Sequence, residues 1–331
     1  MLASKWLRRA RLGLPAVGLV ILVVMLARLD RDAMIAQMGH ISGGSIALAA
    51  LLFAGNACLK CVRWLRLLRT YDIILPYREG ILAFFASVFY GLVTIGGVGE
   101  LTRIGVLIAR DVPWSKALVS CLFDRVLDVS LLTLIACIAL IHIYLPPPGR
   151  HFAFAALAGV VISAVLGGRR ILQWCASSVT AGPIIRSMPN QAERLKSLFE
   201  AMIPCAKPAK LCELMAWTII SWVGYMGTML VLADGLAIQV SAWSVVAASA
   251  LGGLTTLLPI SFQGVGTREP MFVLVLGREG VSQEQAVLLA MLGFWVVYFT
   301  AIAIGLIGLA GQAARRRALS MPDRAGDHDG A

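Results

Sequence analysis

The sequence predicts an all-α polytopic membrane protein with inverted-topology repeats, about six full spans and two re-entrant, glycine-tipped hairpins. Three observations predict it: an extreme composition, a basic-residue asymmetry, and two glycine-rich breaks that resemble each other. Of 331 residues, 59% are hydrophobic and only 14% charged, whereas soluble domains carry roughly 25% charged residues. The mean hydropathy of +0.83 points the same way and excludes large soluble catalytic domains. The net charge of +11 sits beside apolar runs, where anionic lipid headgroups, rather than nucleic acid, are the nearest partner. The seven cysteines are scattered and give no disulfide framework. Cys58 and Cys61 have C-x-x-C spacing without a second pair, and read as two small residues on a membrane helix.

The elements follow in order. Basic Lys5, Arg8, Arg9 and Arg11 precede an apolar stretch from 12 to 29 with no A-x-A-like cleavage site after it, which reads as a retained first span. Further apolar stretches run over 43 to 62, 80 to 95, 117 to 145, 151 to 167, 211 to 234, 243 to 260 and 285 to 311. Each is near the ~20 residues that a helix needs to cross ~30 Å of hydrocarbon. The region 168 to 210 is a basic connector punctuated by Pro183, Pro189, Pro204 and Pro208. Within it Ala192, Leu195, Leu198, Phe199 and Met202 fall at helical spacing, so it is either a short amphipathic helix on the membrane surface or a solvated linker. Residues 1–311 form one membrane domain, with halves of about 1–167 and 211–311, and 312–331 is expected to be a disordered tail.

The stretches 80 to 95 and 243 to 260 run into similar breaks. The first reads Thr94-Ile95-Gly96-Gly97-Val98-Gly99-Glu100-Leu101-Thr102-Arg103; the second reads Ser261-Phe262-Gln263-Gly264-Val265-Gly266-Thr267-Arg268-Glu269. Downstream, Val112 to Ala117 echoes Val281 to Ala286, and the offset stays within 165 to 169 residues, which predicts an internal duplication. Eight simple crossings divide the basic residues evenly, 14 to each side, against the positive-inside rule. Making 80 to 110 and 243 to 278 re-entrant hairpins puts 22 inside, Lys60 and Arg63 among them, and 4 outside. The two hairpins then enter from opposite faces, a transporter architecture, and their tips (Gly96, Gly97, Gly99, Gly264, Gly266) should meet around a central site, because irregular backbone at membrane depth must be buried or line a cavity.

Seven ionisable residues fall within or beside the apolar segments: Glu100, Arg103, Asp124, Arg125, Asp128, Arg268 and Glu269. Unpaired, they would cost on the order of 20 kcal/mol, above the ~5–15 kcal/mol net stability of a domain. Asp124 and Asp128 lie one turn apart on one helix face. Two readings stand: a structural ion-pair cluster, or a site where Arg103, Arg125 and Arg268 meet a lipid phosphate, with Glu100, Asp124, Asp128 and Glu269 as ion-pair or proton-coupling groups. His40, His142, His151 and His328 form no metal constellation, and no catalytic residue or cofactor is expected.

The chain resembles the lysylphosphatidylglycerol synthase transmembrane region, or flippase-like domain, which includes the membrane portion of the bacterial multiple peptide resistance factor. The resemblance rests on Arg63-Trp64, Gly97-Val98-Gly99-Glu100 with Arg103, Asp124-Arg125 with Asp128, and Pro259-Ile260-Ser261 leading to Gly264-Val265-Gly266 with Arg268-Glu269. It departs from the pattern at Thr94-Ile95, where a Pro is often found, at Gln263, commonly a Gly, and at Pro270. The charge count places both termini on the cytoplasmic side, and the resemblance implies an inner-membrane protein that binds and translocates a phosphate-bearing amphiphilic lipid. The alternatives are a non-transporting accessory of hopanoid or polyprenyl-linked sugar biosynthesis, partnering enzymes of those pathways, and a membrane-embedded transferase. Bifunctional members carry a soluble aminoacyl-transfer domain after the membrane region. None is expected here, and lysyl transfer is not expected of this chain.

Overall fold

The computed structural model describes residues 17–179, 189–257 and 261–320. Among these every regular element is helical: α1 (Val17–Leu26), α2 (Arg31–Met38), α3 (Gly43–Arg69), α4 (Tyr77–Val93), α5 (Arg103–Ile108), α6 (Trp114–Tyr144), α7 (Pro147–Val179), α8 (Pro189–Met202), α9 (Pro208–Gly235), α10 (Ala242–Thr255), α11 (Glu269–Leu276) and α12 (Gln283–Ser320). A 3₁₀ segment, Ile95–Thr102, joins α4 to α5. Five helices, α3, α6, α7, α9 and α12, are long and apolar enough to cross a membrane. The sixth expected span begins outside the described residues, and α1 is its described part. By contrast α4 and α10 have 17 and 14 residues. Each is followed by a break and a short second arm, as a hairpin requires.

The duplication is visible in the backbone. α3–α6 and α9–α12 repeat one motif, and the joints match. After α3, Asp72 adopts a left-handed φ of 59° and Ile73 N donates to Leu68 O at 3.2 Å; after α9, Ala237 has φ 52° and Ile238 N donates to Ala233 O at 3.0 Å. After α5, Asp111 has φ 58° and Val112 N reaches Leu107 O at 3.2 Å; after α11, Gly280 has φ 83° and Val281 N reaches Leu276 O at 3.4 Å. Each is a left-handed helix terminus that satisfies a carbonyl the helix leaves unpaired. Here the chain reverses without a side-chain cap.

The repeats are interleaved. α3 and α9 run antiparallel, with Thr228 Oγ1 donating to Ala49 O at 3.0 Å near one end and Arg66 meeting Glu213 at 3.4 Å near the other. α4 packs along α12, and α10 along α6, so each hairpin rests on the last helix of the other repeat. The two mouths lie at opposite ends of α6. Glu79 and Arg110 close the first, four residues before α6 begins. Glu279 accepts from Ser241 N at 2.7 Å to close the second, where Arg278 Nη1 donates to Ile143 O at 3.3 Å at the end of α6. The hairpins therefore enter from opposite ends of the bundle.

Three boundaries differ from the sequence reading. α3 continues past residue 62 to Arg69, because Leu65, Leu67 and Leu68 favour helix and bury against the bundle. Lys60 and Arg63, counted as loop charges, are therefore helical, and removing them leaves the basic asymmetry intact. α7 runs through Gly167-Gly168 to Val179, shortening the connector expected from 168. α12 continues to Ser320, beyond the expected tail boundary at 311; residues 321–331, like 180–188 of the connector with Pro183, lie outside the described residues. The connector does contain a helix. In α8, Leu198 and Met202 pack beside Val119, Phe123 and Leu127 of α6, and Tyr71 OH donates to Ala201 O at 2.7 Å. The most apolar stretch of α7 buries none of its residues in the bundle, leaving Val160, Ile162 and Leu166 to the lipid.

Candidate functional site

Four elements bring the charges together. α3 supplies Lys60 and Arg63, α6 supplies Asp124, Arg125 and Asp128, the first tip supplies Glu100 and Arg103, and α9 supplies Thr218 and Trp222. Arg63 is the hub. Its Nε donates to Asp124 Oδ1 at 2.9 Å, its Nη1 to Asp128 Oδ1 at 2.8 Å and to Thr218 Oγ1 at 2.9 Å, and its Nη2 to the Asp124 carbonyl at 3.2 Å. Asp128 also accepts from Lys60 at 3.0 Å and from Trp222 Nε1 at 2.8 Å. The Arg63 side chain is 0% exposed. Such a charge persists out of water only when its donors are all matched, and here they are.

Arg103 continues the network. It is also 0% exposed, contacts Asp124 Oδ2 at 3.3 Å and Glu100 Oε2 at 3.3 Å, and stacks near Trp64 and Phe84 with its guanidinium carbon 5.1 and 4.7 Å from the ring centres. Glu100 passes its other oxygen to Arg125 at 2.5 Å. Arg125 differs from the other two arginines. Its side chain is 35% exposed, and it also donates to Gly97 O at 3.4 Å. Gly97 has a φ of +69°, and a Cβ there would meet Arg125 Nη2 at 2.5 Å. The absence of a side chain at 97 is what lets Arg125 lie on the tip.

Arg125 borders a groove of about 710 Å³ between α6 and α7, closed at one end by Leu195, Leu198, Phe199 and Met202 of α8. It is the sole charged residue of that lining; apart from Ser130 and Thr133 the remaining walls, such as Val126, Leu134, Leu157 and Val160, are apolar.

The second tip is built differently. Gln263, Gly264 and Gly266 all have positive φ, at 51°, 81° and 84°. Glu269 is 1% exposed; it accepts from Gly266 N at 2.7 Å and from Arg268 Nη2 at 3.3 Å. Arg268 lies over the Phe294 ring at 4.9 Å, and its buried Nε has no hydrogen-bond partner among the described residues.

The side chain of Gln263 ties the two tips together. Gln263 Nε2 donates to Gly91 O, Leu92 O and Thr94 O at 3.0, 3.2 and 3.4 Å. Gly91 and Leu92 lie in the last turn of α4, where carbonyls lack a helical donor, while Thr94 O just beyond it also accepts from Gly97 N at 3.3 Å; the second tip thus caps the helix of the first hairpin. A left-handed φ is strained for Gln, which explains why glycine is common at this place in the resembling pattern. The amide's three contacts offset that strain.

The structure thus joins Glu100, Arg103, Asp124, Arg125 and Asp128 in one network and leaves Arg268 with Glu269 as a separate pair. Sequence reasoning missed Lys60, Arg63, Thr218, Trp222 and the bridging role of Gln263. The signals available were the Lys60/Arg63 i,i+3 spacing and the Arg63-Trp64 pair. Among the described residues no cluster of His, Cys, Asp or Glu could hold a metal ion.

These features define a multi-pass helical membrane protein whose two opposed hairpins meet beside a charged centre. The family model described as lysylphosphatidylglycerol synthase TM region matches residues 12–305, and the chain belongs to that family. No curated protein and no solved structure matches the chain.

Proposed function

We propose that this protein binds and translocates an amphiphilic, phosphate-bearing lipid, with the headgroup at Arg125 and a chain in the α6–α7 groove. The observation that carries the reading is Arg125 itself: a half-buried guanidinium at the edge of a large apolar groove, against an irregular hairpin tip. A guanidinium suits the bidentate contacts of a phosphate. Within this reading Arg103 and Arg63 hold Asp124 and Asp128 so that Arg125 stays presented, and Arg268 serves the opposite tip. The opposed hairpins supply the two-sided geometry that alternating access uses. The basic asymmetry supports a bacterial inner-membrane setting with both termini and the connector on the cytoplasmic side.

The test is movement of a fluorescent phospholipid between leaflets of liposomes holding the purified protein. Arg125→Gln should melt as the wild type does and lower the rate about tenfold, the scale of one lost charge-assisted contact, and Arg125→Lys should recover part of it. Wild-type protein that binds lipid without moving it would favour the accessory role. An Arg125→Gln protein transporting at the wild-type rate would remove Arg125 from the path.

A further inference from the structure

A second cavity lies inside the first hairpin, away from the α6–α7 groove. It measures about 650 Å³ and is walled by Leu82, Ala83 and Ala86 of α4, Val106 of α5 and Ala109 just after it, with α12 alongside. Tyr90 and Thr102 stand at one end and Glu79, Arg110 and Arg315 at the other, its charged rim. From Glu79 to Tyr90 along α4 is about 16 Å at the helical rise, so the slot is long and largely apolar with a charged rim.

The rim carries two arginines and a single carboxylate. Arg110 forms a two-point contact with Glu79, Nε to Oε1 at 2.9 Å and Nη2 to Oε2 at 2.5 Å, while Arg315 Nη1 reaches the same Oε2 at 2.6 Å. The arginines come from different repeats, α12 and the end of α5, and converge on one oxyanion. That is the donor arrangement of a phosphate site, with a side-chain carboxylate in the ligand's position. The rim retains one positive charge in excess. An amphiphile with a phosphate head and an apolar chain matches both parts of the cavity.

We propose that this slot is a second lipid site, which takes a phosphate-bearing lipid headgroup between Arg110 and Arg315 in exchange for Glu79, with an apolar chain running toward Tyr90. Glu79 is then an internal competitor that holds the empty slot closed. The inference stands on this cavity alone and does not require Arg125 to bind lipid.

Native mass spectrometry of the full chain in detergent, titrated with phosphatidylglycerol, tests it. Glu79→Gln should tighten one binding event, and Arg110→Gln or Arg315→Gln should weaken the same event, each by about tenfold. Gly105→Leu provides a variant that leaves the charges alone: a Cβ at Gly105 meets nothing within 4 Å, so the larger side chain fills the slot and should abolish that event without lowering the melting temperature. Diacylglycerol, lacking phosphate, should bind at least tenfold more weakly than phosphatidylglycerol. The proposal is overturned if all four variants bind within twofold of wild type, or if inorganic phosphate alone binds as tightly as the lipid. Loss of every binding event in Arg125→Gln, with no change in these variants, would leave the groove site and remove this one.

Discussion

The two tips carry the same Gly-Val-Gly followed by Arg, yet they are held by different forces. At the first, Glu100 and Arg103 join a network that reaches three helices, and the turn carries a single described glycine with positive φ, Gly97. At the second, charge is confined to the neighbouring pair Arg268 and Glu269, and the turn needs three successive or near-successive left-handed residues. The first tip is fixed by electrostatics, the second by backbone shape and close packing. A duplicated motif has thus kept its fold while its stabilising terms diverged. Beside the first tip Arg125 of α6 stands at the edge of a groove, whereas the cavity beside the second tip is lined by Glu269.

The largest expected effect breaks the charged side of that comparison. Arg63→Gln strips Asp124 and Asp128 of their shared partner in a site closed to water, and should cost roughly 3–5 kcal/mol. Arg268→Gln should cost about half as much, since Glu269 keeps the Gly266 N–H and a hydrogen bond to a charged group is worth ~1.5–3 kcal/mol. Unfolding of both variants in detergent measures the difference; equal losses would end the distinction between the tips.

Alanine at the glycines sharpens the backbone side. A Cβ on Gly266, φ +84°, would overlap the Gly18 carbonyl of α1, which is backbone and cannot move aside. Gly266→Ala should therefore lose at least the ~1–3 kcal/mol of a strained residue. Gly97→Ala meets only the mobile end of Arg125, so its cost should be nearer 1 kcal/mol, accompanied by weaker lipid binding as Arg125 is displaced. The same unfolding assay, paired with lipid binding, separates the two.

The smallest effect compares the mouths. Glu79 closes the first hairpin through arginines, whereas Glu279 closes the second through Ser244, Ser241 N and the Ser241 hydroxyl. Hydrogen bonds from Ser244 and Ser241 hold the Glu279 carboxyl below its usual range. A depressed folded-state value contributes stability that is present above the ordinary glutamate pKa of ~4.3 and is lost as pH falls through the lower folded value. Melting temperature should accordingly fall less as the pH is lowered from about 6 to about 3 in Glu279→Gln than in wild type. Identical pH profiles would show that the mouth is held by packing alone.

Much of this was legible in the chain. The spans, the hairpins and the repeat depend on hydropathy and glycine placement, which are local, and the five long helices fall where the apolar stretches do. The membership of Asp124, Arg125 and Asp128 in one charged region followed from an i,i+4 spacing. Arg63 was misplaced because a charge near a helix end reads as solvated unless its partners are known, and those partners lie 61, 65 and 155 positions away. Gln263 looked like a departure from a glycine pattern; its contacts are 169 to 172 positions away.

The sequence by itself determined that the chain is helical, duplicated and committed to a membrane, because the pattern of apolar runs and breaks sets which backbone conformations can be satisfied in lipid. Only the tertiary structure decided which charges are consumed by pairing and which remain available. That choice depends on distances between elements remote in sequence, and in a low-dielectric interior a few ångströms separate a neutralised arginine from one that faces a ligand.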